Sequence, residues 1–377
     1  PKGELMLKKK VIALGAVAIA ASLIAAPSAT AGAKPAAKAN VGDECLREGT
    51  KAAGRGVNGS DLTCTKVATG TFAGSLRWWY PEMKPFGSLE WVASSAIGGG
   101  YGTTAIAIGD AMKKEGLLKD YTVTYKTNAP LGLGYFYDQK DRKDMLLITG
   151  FAMPGGLATN GSKLSITTAN AVAGVMREAE AFAVPTSSKY KTINDLMADI
   201  KANPKTVAIG GGNYGGVDHV TVATLAATLG VKALDLNYIP YSGGGSLVPD
   251  VIGGRVAVGV SGTSEFASYV AAGKMRILAV TSPKPLKAIK GKTLVQQGVN
   301  LTFGNWRGIL APADLSAADL LNTLKVMDTL HASTSWKDTL VAKSWIDEYR
   351  AGSAFSSWIK TENTSIMNVL TDFKLIK

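Results

Sequence analysis

The stretch Thr206–Gly230, TVAIGGGNYGGVDHVTVATLAATLG, constrains the fold of this chain more than any other. An apolar run, Thr206–Ile209, breaks into Gly210, Gly211, Gly212, Gly215 and Gly216, after which Val222, Leu225, Ala226 and Leu229 recur at helical spacing. That order predicts a strand, a glycine loop and a helix. Glycines admit backbone conformations closed to other residues, so successive N–H groups can turn inward. The helix that follows presents unpaired N–H groups and the positive end of its dipole at the same place. Such a junction holds an anion without a charged side chain. Ile97–Gly116 repeats the device and Gly243–Gly245 adds a third glycine run, so anion binding by backbone is the expected business of the chain.

Composition sets the setting. With 377 residues, 46% hydrophobic and 19% charged, the chain can pack two domains of ordinary size. Lys8, Lys9 and Lys10 precede the apolar run Val11–Ile24 and the small residues Ala29-Thr30-Ala31, the pattern of an export signal over residues 1–31. Met6 is the expected start, leaving Pro1–Leu5 as a remnant. The apolar run is shorter than the ~20 residues that span a bilayer, and no cysteine follows it where a lipid anchor would attach. A protein working outside the cytoplasm, without a lipid anchor, is expected. Cys45 and Cys64 are then expected to pair in an oxidising compartment. A metal site is not expected, because His219 and His331 lie far from them in sequence. The formal charge of +12 becomes +9 once the net +3 of Lys2, Lys8, Lys9, Lys10 and Glu4 is removed with the leader. A basic surface attracts anions, but no nucleic-acid module accompanies it.

Along the chain, Gly32–Asn40 reads as a tether, and Val41–Pro81 as a hairpin-like appendage stapled by the cysteines, with Trp78 and Trp79 packing it onto the main body. Strands are expected at Leu89–Ser94, Tyr121–Lys126, Met145–Thr149, Ala181–Val184, Leu236–Pro240, Val256–Val260, Met275–Thr281 and Ile309–Ala311. Helices alternate with them, and two or three helices finish the chain. This alternation predicts α/β organisation with parallel sheets, whose ligands sit beyond the carboxyl ends of the strands. The stretch up to Gln139, rich in Gly, Tyr and Phe, reads as a loop.

Two chemistries fail on their own requirements. Gly100-x-Gly102-x-x-Ala105 and Gly210-x-Gly212-x-x-Gly215 satisfy a dinucleotide pattern, but the strands after them end in Thr127-Asn128 and Pro240-Tyr241-Ser242, with no acid for a ribose. No Gly-x-Ser-x-Gly elbow is present, and two histidines leave few bases for a serine. No cofactor and no catalytic residue are expected. Tyr101 and Tyr214 occupy matching places in two glycine loops and could close over a ligand. Tyr241, Ser242, Ser261 and Thr263 are neutral donors near the same rim. His219 could donate to a carboxylate or shape the loop by bonding backbone. Arg307 could grip a carboxylate or be structural. Asp218 reads as a helix N-cap.

Asn194-Asp195-Leu196, Gly210–His219, Tyr241–Gly245, Ile252–Val256, Ala272–Val280 and Asn305–Gly308 come in the order seen in the TctC or Bug-type solute-binding proteins of tripartite tricarboxylate transporters, and Glu90–Lys377 resembles that family. The resemblance implies a two-domain type II, Venus-flytrap periplasmic-binding-protein fold that holds a carboxylate and delivers it to membrane components of a transporter. It implies domains at 85–184 plus 308–377 and at 185–307, with 32–84 as tether and appendage, in a monomer. Loops like Ala96–Thr104 and Gly212–His219 would supply N–H groups and waters to the carboxylate, and loops like Phe151–Gly156 and Ser261–Ser264 would line the cleft. The candidate ligand-binding set is therefore Gly99, Gly100, Tyr101, Gly102, Thr103, Phe151, Asn213, Tyr214, Gly215, Gly216, His219, Tyr241, Ser261 and Thr263. Ile97 and Gly102 stand where relatives often carry a proline and an aspartate, and Ile106 where an arginine is common. An extracytoplasmic enzyme and a ligand sensor for a receptor are the rival readings.

Overall fold

The computed structural model describes residues 39–287 and 289–376; the expected leader, the remnant before Met6 and most of the tether lie outside them. Among the described residues no helix is long and apolar enough to cross a membrane. The appendage is an antiparallel sheet of β1 (Lys51–Ala52), β2 (Leu62–Lys66) and β3 (Leu76–Trp79), closed by the Cys45–Cys64 disulfide. Trp79 packs edge-on against Phe72 inside the appendage, 6.2 Å between centroids. Polar anchors make the joint to the body. Tyr80 donates to Asp328 at 2.6 Å, and the Glu115 carboxylate accepts from Thr71 N at 2.8 Å and from its Oγ1 at 3.1 Å.

The first lobe is a six-stranded sheet of β4 (Phe86–Ala93), β5 (Leu118–Tyr125), β6 (Met145–Gly150), β7 (Asn170–Glu178), β13 (Asn305–Ala311) and β14 (Ile346–Ala351), ordered β14-β7-β13-β6-β4-β5. Helices α1 (Gly100–Lys114), α2 (Ala129–Tyr137), α3 (Ala152–Thr159), α8 (Ala317–Ala332), α9 (Thr334–Lys343) and α10 (Gly352–Asp372) accompany it. The second lobe orders its sheet β10-β9-β11-β8-β12, from β8 (Glu180–Pro185), β9 (Ala208–Gly211), β10 (Asn237–Pro240), β11 (Val258–Gly262) and β12 (Met275–Val280). Its helices are α4 (Ile193–Ala202), α5 (Val217–Thr228), α6 (Gly244–Ile252) and α7 (Thr263–Ala271). Apolar side chains cover both faces of this sheet. Ile193, Leu196, Val222 and Leu225 meet Ile209 and Val260 on one face, and Leu247, Val251 and Phe266 meet Ala181 and Ala183 on the other.

Both sheets are mixed, where the alternating pattern predicted parallel ones. β4 runs parallel to β5 and β6, but β13 is antiparallel to β6 and β7, and β8 is antiparallel to β11 and β12. The chain crosses between lobes at Ala179 and again over 281–304, and each crossing inserts one reversed strand. Sheet membership thus changes before Glu180 and before Asn305, several residues ahead of the limits expected from sequence. The two crossings are bonded side by side: Thr281 N donates to Glu180 O at 2.9 Å, and Thr281 Oγ1 accepts from Glu180 N at 2.8 Å.

The expected loop before Gln139 is the helix α2. Asn128 caps it by accepting from Leu131 N at 2.9 Å, proline lies in its first turn, and Ala129, Leu133 and Phe136 share its buried face. Glycines that suggest a loop serve approach instead: a Cβ on Gly132 would overlap the Ser94 side chain.

Candidate functional site

The site forms where the strand ends of both lobes meet. From the carboxyl end of β4 come Ser94 and Ser95, followed by Gly100 and Tyr101 in the first turn of α1. Beyond β9 lie Gly212, Asn213 and Gly216, beyond β10 Tyr241, Ser242 and Gly243, and from β11 into α7 Ser261 and Glu265. Because β13 runs against its neighbours, its amino end joins these carboxyl ends and adds Asn305 and Arg307. These residues, with Ala152, Val217 and Asp218, line one cavity of about 470 Å³ counting its open mouth.

Of the candidate set, Gly100, Tyr101, Asn213, Gly216, Tyr241 and Ser261 line this cavity. The others sit behind it or beside it. Gly102 admits the ring of Tyr125, and Phe151 packs edge-on against Phe303 at 5.2 Å. Thr103 N bonds Gly99 O at 3.0 Å, and Thr263 is buried with its hydroxyl 3.5 Å from Glu178 Oε1. Tyr214 is half-exposed and donates to Tyr238 O at 3.1 Å, so it does not mirror Tyr101 across the cavity. His219 accepts from Gly215 N at 3.1 Å through Nδ1 and stacks on Tyr238 at 4.3 Å. Burial holds its pKa down to about 4, so the ring is a neutral brace for the glycine loop.

Gly99 and Gly215 belong to the contact between lobes. A Cβ on Gly243 would lie 2.9 Å from Gly99 Cα, and one on Gly215 would lie 2.9 Å from Gly155 O. A Cβ on Gly245 would overlap Ile97 O, and Ala96 N donates to Ser242 O at 3.0 Å. On the other side Thr159 Oγ1 donates to Tyr214 O at 2.9 Å. The lobes are closed on each other, and bare glycine backbone is what lets them approach.

Of the charged lining, the sequence offered Arg307 as a possible carboxylate grip outside the candidate set and Asp218 as an N-cap; Glu265 was missed. Arg307 is 3% exposed, 5.0 Å above the ring of Tyr101, with its nearest carboxylate, Glu178, at 3.9 Å. Among the described residues, Nε of Arg307 and the side-chain oxygens of Ser94, Ser95 and Asn305 are buried without a hydrogen-bond partner. Facing the arginine are acids. Asp218 is the second residue of α5 and not its N-cap, which is Gly216; its Oδ2 accepts from Gly212 N at 2.5 Å. Glu265 accepts from Gly244 N, and Glu178 accepts from Ser264 N at 2.7 Å. Burial and the facing Asp218 push Glu180 well above the usual carboxyl range, and burial also raises Asp218 against the hydrogen bond from Gly212 N. Part of Glu265 stays accessible on the cavity wall; burial, then Asp218 and Glu178, push it up to about 8 against the pull of Arg307 and Gly244 N. The signal for these acids was present as Asp218 and Glu265 near the glycine loops, but only folding sets them around one arginine.

Two α/β lobes, joined by two adjacent crossings and closed over a polar cavity at their strand ends, define a two-lobed binding protein of the periplasmic type. Residues 160–344 match the sequence profile of the tripartite tricarboxylate transporter family receptor. Over 129 residues it is 29% identical to the UPF0065 protein of the TAR-I ttuE-ttuC' intergenic region of Agrobacterium vitis, a match covering 34% of this chain and 36% of the relative. Among solved structures it is similar to the periplasmic binding protein BugD (TM-score 0.69, 19% identity, 79% of this chain and all of that one). It is also similar to MatC from Rhodopseudomonas palustris with bound malate (TM-score 0.63, 16% identity, 76% of this chain and all of that one).

Proposed function

We propose that this protein is an extracytoplasmic solute-binding protein that captures a small carboxylate between its lobes. It then passes the carboxylate intact to the membrane components of a tripartite tricarboxylate-type transporter. The observation that carries this reading is Arg307, buried at the meeting point of both lobes with Nε unbonded and only a loose partner in Glu178. A guanidinium so placed binds a carboxylate with charge-assisted hydrogen bonds. The first turns of α1 and α5 bring further N–H groups to the same wall. Malate in MatC is a ligand of the same chemical class in a protein of the same fold. Release follows from rotation about the paired crossings, which lie side by side at Glu180 and Thr281.

Thermal melting of the purified protein against a panel of mono-, di- and tricarboxylates tests the reading. A ligand at a hundredfold its Kd adds about 2.7 kcal/mol of stability, so the right acid raises Tm and is recovered unchanged. A panel in which no acid moves the melt, or in which the acid is consumed, overturns it.

A further inference from the structure

We propose that the exposed lysine ridge Lys284, Lys287, Lys290 and Lys292, at the outer edge of the second lobe, seats the protein on a bilayer of anionic phospholipid. This goes beyond the solute-binding reading and does not depend on which acid the cavity holds.

Charge is unevenly spread along the chain. Between Glu265 and Asp314 the sequence holds seven lysines and arginines and no aspartate or glutamate. Arg307 is buried in the cavity wall, and Arg276 is bonded to the carbonyls of Thr186, Ser188 and Tyr190. Of the five cations left, four fall within the nine residues Lys284–Lys292, and all four are exposed. Elsewhere exposed lysines meet acids: Lys113 lies 3.1 Å from Asp120, Lys140 3.4 Å from Asp314 and Lys189 2.6 Å from Asp199. Among the described residues none of the four ridge lysines has an ion pair or a side-chain hydrogen bond.

The backbone fixes this array although the segment is neither helix nor strand. It runs beside β12, the edge strand of the second sheet. Val280 N donates to Lys292 O at 3.0 Å, Leu294 N to Val280 O at 2.9 Å, and Ser282 Oγ to Lys284 O at 2.7 Å. A Cβ on Gly291 would lie 2.7 Å from Ile277 Cγ2, so the segment lies flat on the strand. Leu286 and Ile289 pack inward against the apolar core that Phe266 and Ile277 share. Lys284, Lys287 and Lys290 then recur at every third residue on the outer side.

Such a ridge offers charge without shape. None of its lysines lines the cavity between the lobes or the groove between the appendage and the first lobe. An ammonium is a compact, hydrated point charge that meets phosphate without the fixed fork of a guanidinium. No aromatic residue occurs within 283–292 to stack a nucleic-acid base. A fluid array of headgroup phosphates is the partner that matches, and each lysine near it tightens binding by about fivefold. The cavity lining of the second lobe comes from β9, β10 and β11, while β12 lies at the opposite edge of the sheet from β10, so a bilayer at the ridge leaves the cavity uncovered. A protein held there searches for membrane components in two dimensions.

Co-sedimentation of the purified protein with lipid vesicles at about 0.15 M salt, where the Debye length is about 8 Å, tests this. The vesicles are pure phosphatidylcholine, or equal parts phosphatidylcholine and phosphatidylglycerol. Wild type should bind the anionic vesicles at least about tenfold more tightly, and about 1 M salt, with a Debye length of about 3 Å, should release it. The combined variant Lys284→Gln, Lys287→Gln, Lys290→Gln and Lys292→Gln should lose at least about tenfold of that binding. A charge-matched control, Lys51→Gln, Lys163→Gln, Lys232→Gln and Lys360→Gln, removes the same charge from scattered exposed sites. It should stay within about threefold of wild type. Both variants should melt as wild type does, because every substituted side chain is exposed. Should the ridge variant fold poorly, Lys287→Gln with Lys290→Gln alone should give the same ordering against the control. Equal losses in ridge variant and control would mean that net charge alone attracts the protein, and would overturn the ridge as the site. Indifference of wild type to phosphatidylglycerol would overturn the lipid assignment and leave the ridge to an acidic protein surface. Neither result bears on solute capture, which melting against carboxylates tests separately.

Discussion

At Gly100 a single hydrogen atom decides the position of a charge. A methyl group there would run into the Arg307 guanidinium and crowd Glu265, and both must then turn into the cavity. Gly100→Ala should therefore weaken ligand binding by about tenfold, or about 1.4 kcal/mol, while the melting temperature of the free protein stays close to wild type; titration and thermal melting check this. Glu265 carries a pH signature. Its folded pKa, about 8, lies above the unfolded value of 4.5, so the folded state binds the extra proton. Its contribution to stability is full below pH 4.5 and is lost as pH rises toward 8. His219 has the opposite sign, since its folded pKa of about 4 lies below the unfolded 6.5, and its contribution, full above pH 6.5, is lost as pH falls toward 4. Between pH 6.5 and 8 the glutamate acts without it. Unfolding midpoints in urea should fall across that window in wild type and fall less in Glu265→Gln; equal slopes would remove Glu265 as the source.

Elements of the two lobes meet here largely through glycine backbone. The contact of α3 with the loop before α5 places Gly155 directly against Gly215 O, where a Cβ would overlap the oxygen, and Gly215 itself adopts φ +73. Gly155→Ala should hold the lobes apart with each lobe still folded. Solution scattering at saturating ligand would then show a larger radius of gyration than wild type, and affinity would drop. An unchanged radius with unchanged affinity would mean the closed contact is dispensable. The same glycines account for what was legible at this scale. Strand, loop and helix were readable from Thr206–Gly230 because periodicity and helix starts are local. The second task of Gly99, Gly155 and Gly215, backbone approach between lobes, has no local signature.

For the whole molecule, the appendage is the separable part. Its disulfide closes a loop of sequence separation 19, which contributes about 3 kcal/mol in the chain-entropy model. The appendage meets α1 at Glu115, at the opposite end of that helix from the site residues Gly100 and Tyr101. Replacing both cysteines by serine should lower the melting temperature and leave ligand affinity within about twofold. A larger loss of affinity would mean that the appendage supports the site through α1.

The sequence alone determined the alternating α/β elements and the glycine loops at the strand ends, because hydrophobic period, helix starts and turn residues act over a few neighbours; the two lobes were implied by the family resemblance, and the cysteine pair by the export signal. Tertiary structure alone decided the character of the cavity. The reversal of β13 carries Asn305 and Arg307 to the strand ends, and Glu178, Glu180, Asp218 and Glu265, distant in sequence, converge on that arginine. Two of the glycine-run amides that read as free anion seats, Gly212 N and Gly244 N, are occupied by Asp218 and Glu265. Whether a charge is buried, and against what, depends on which distant strands become neighbours, and no local pattern encodes that.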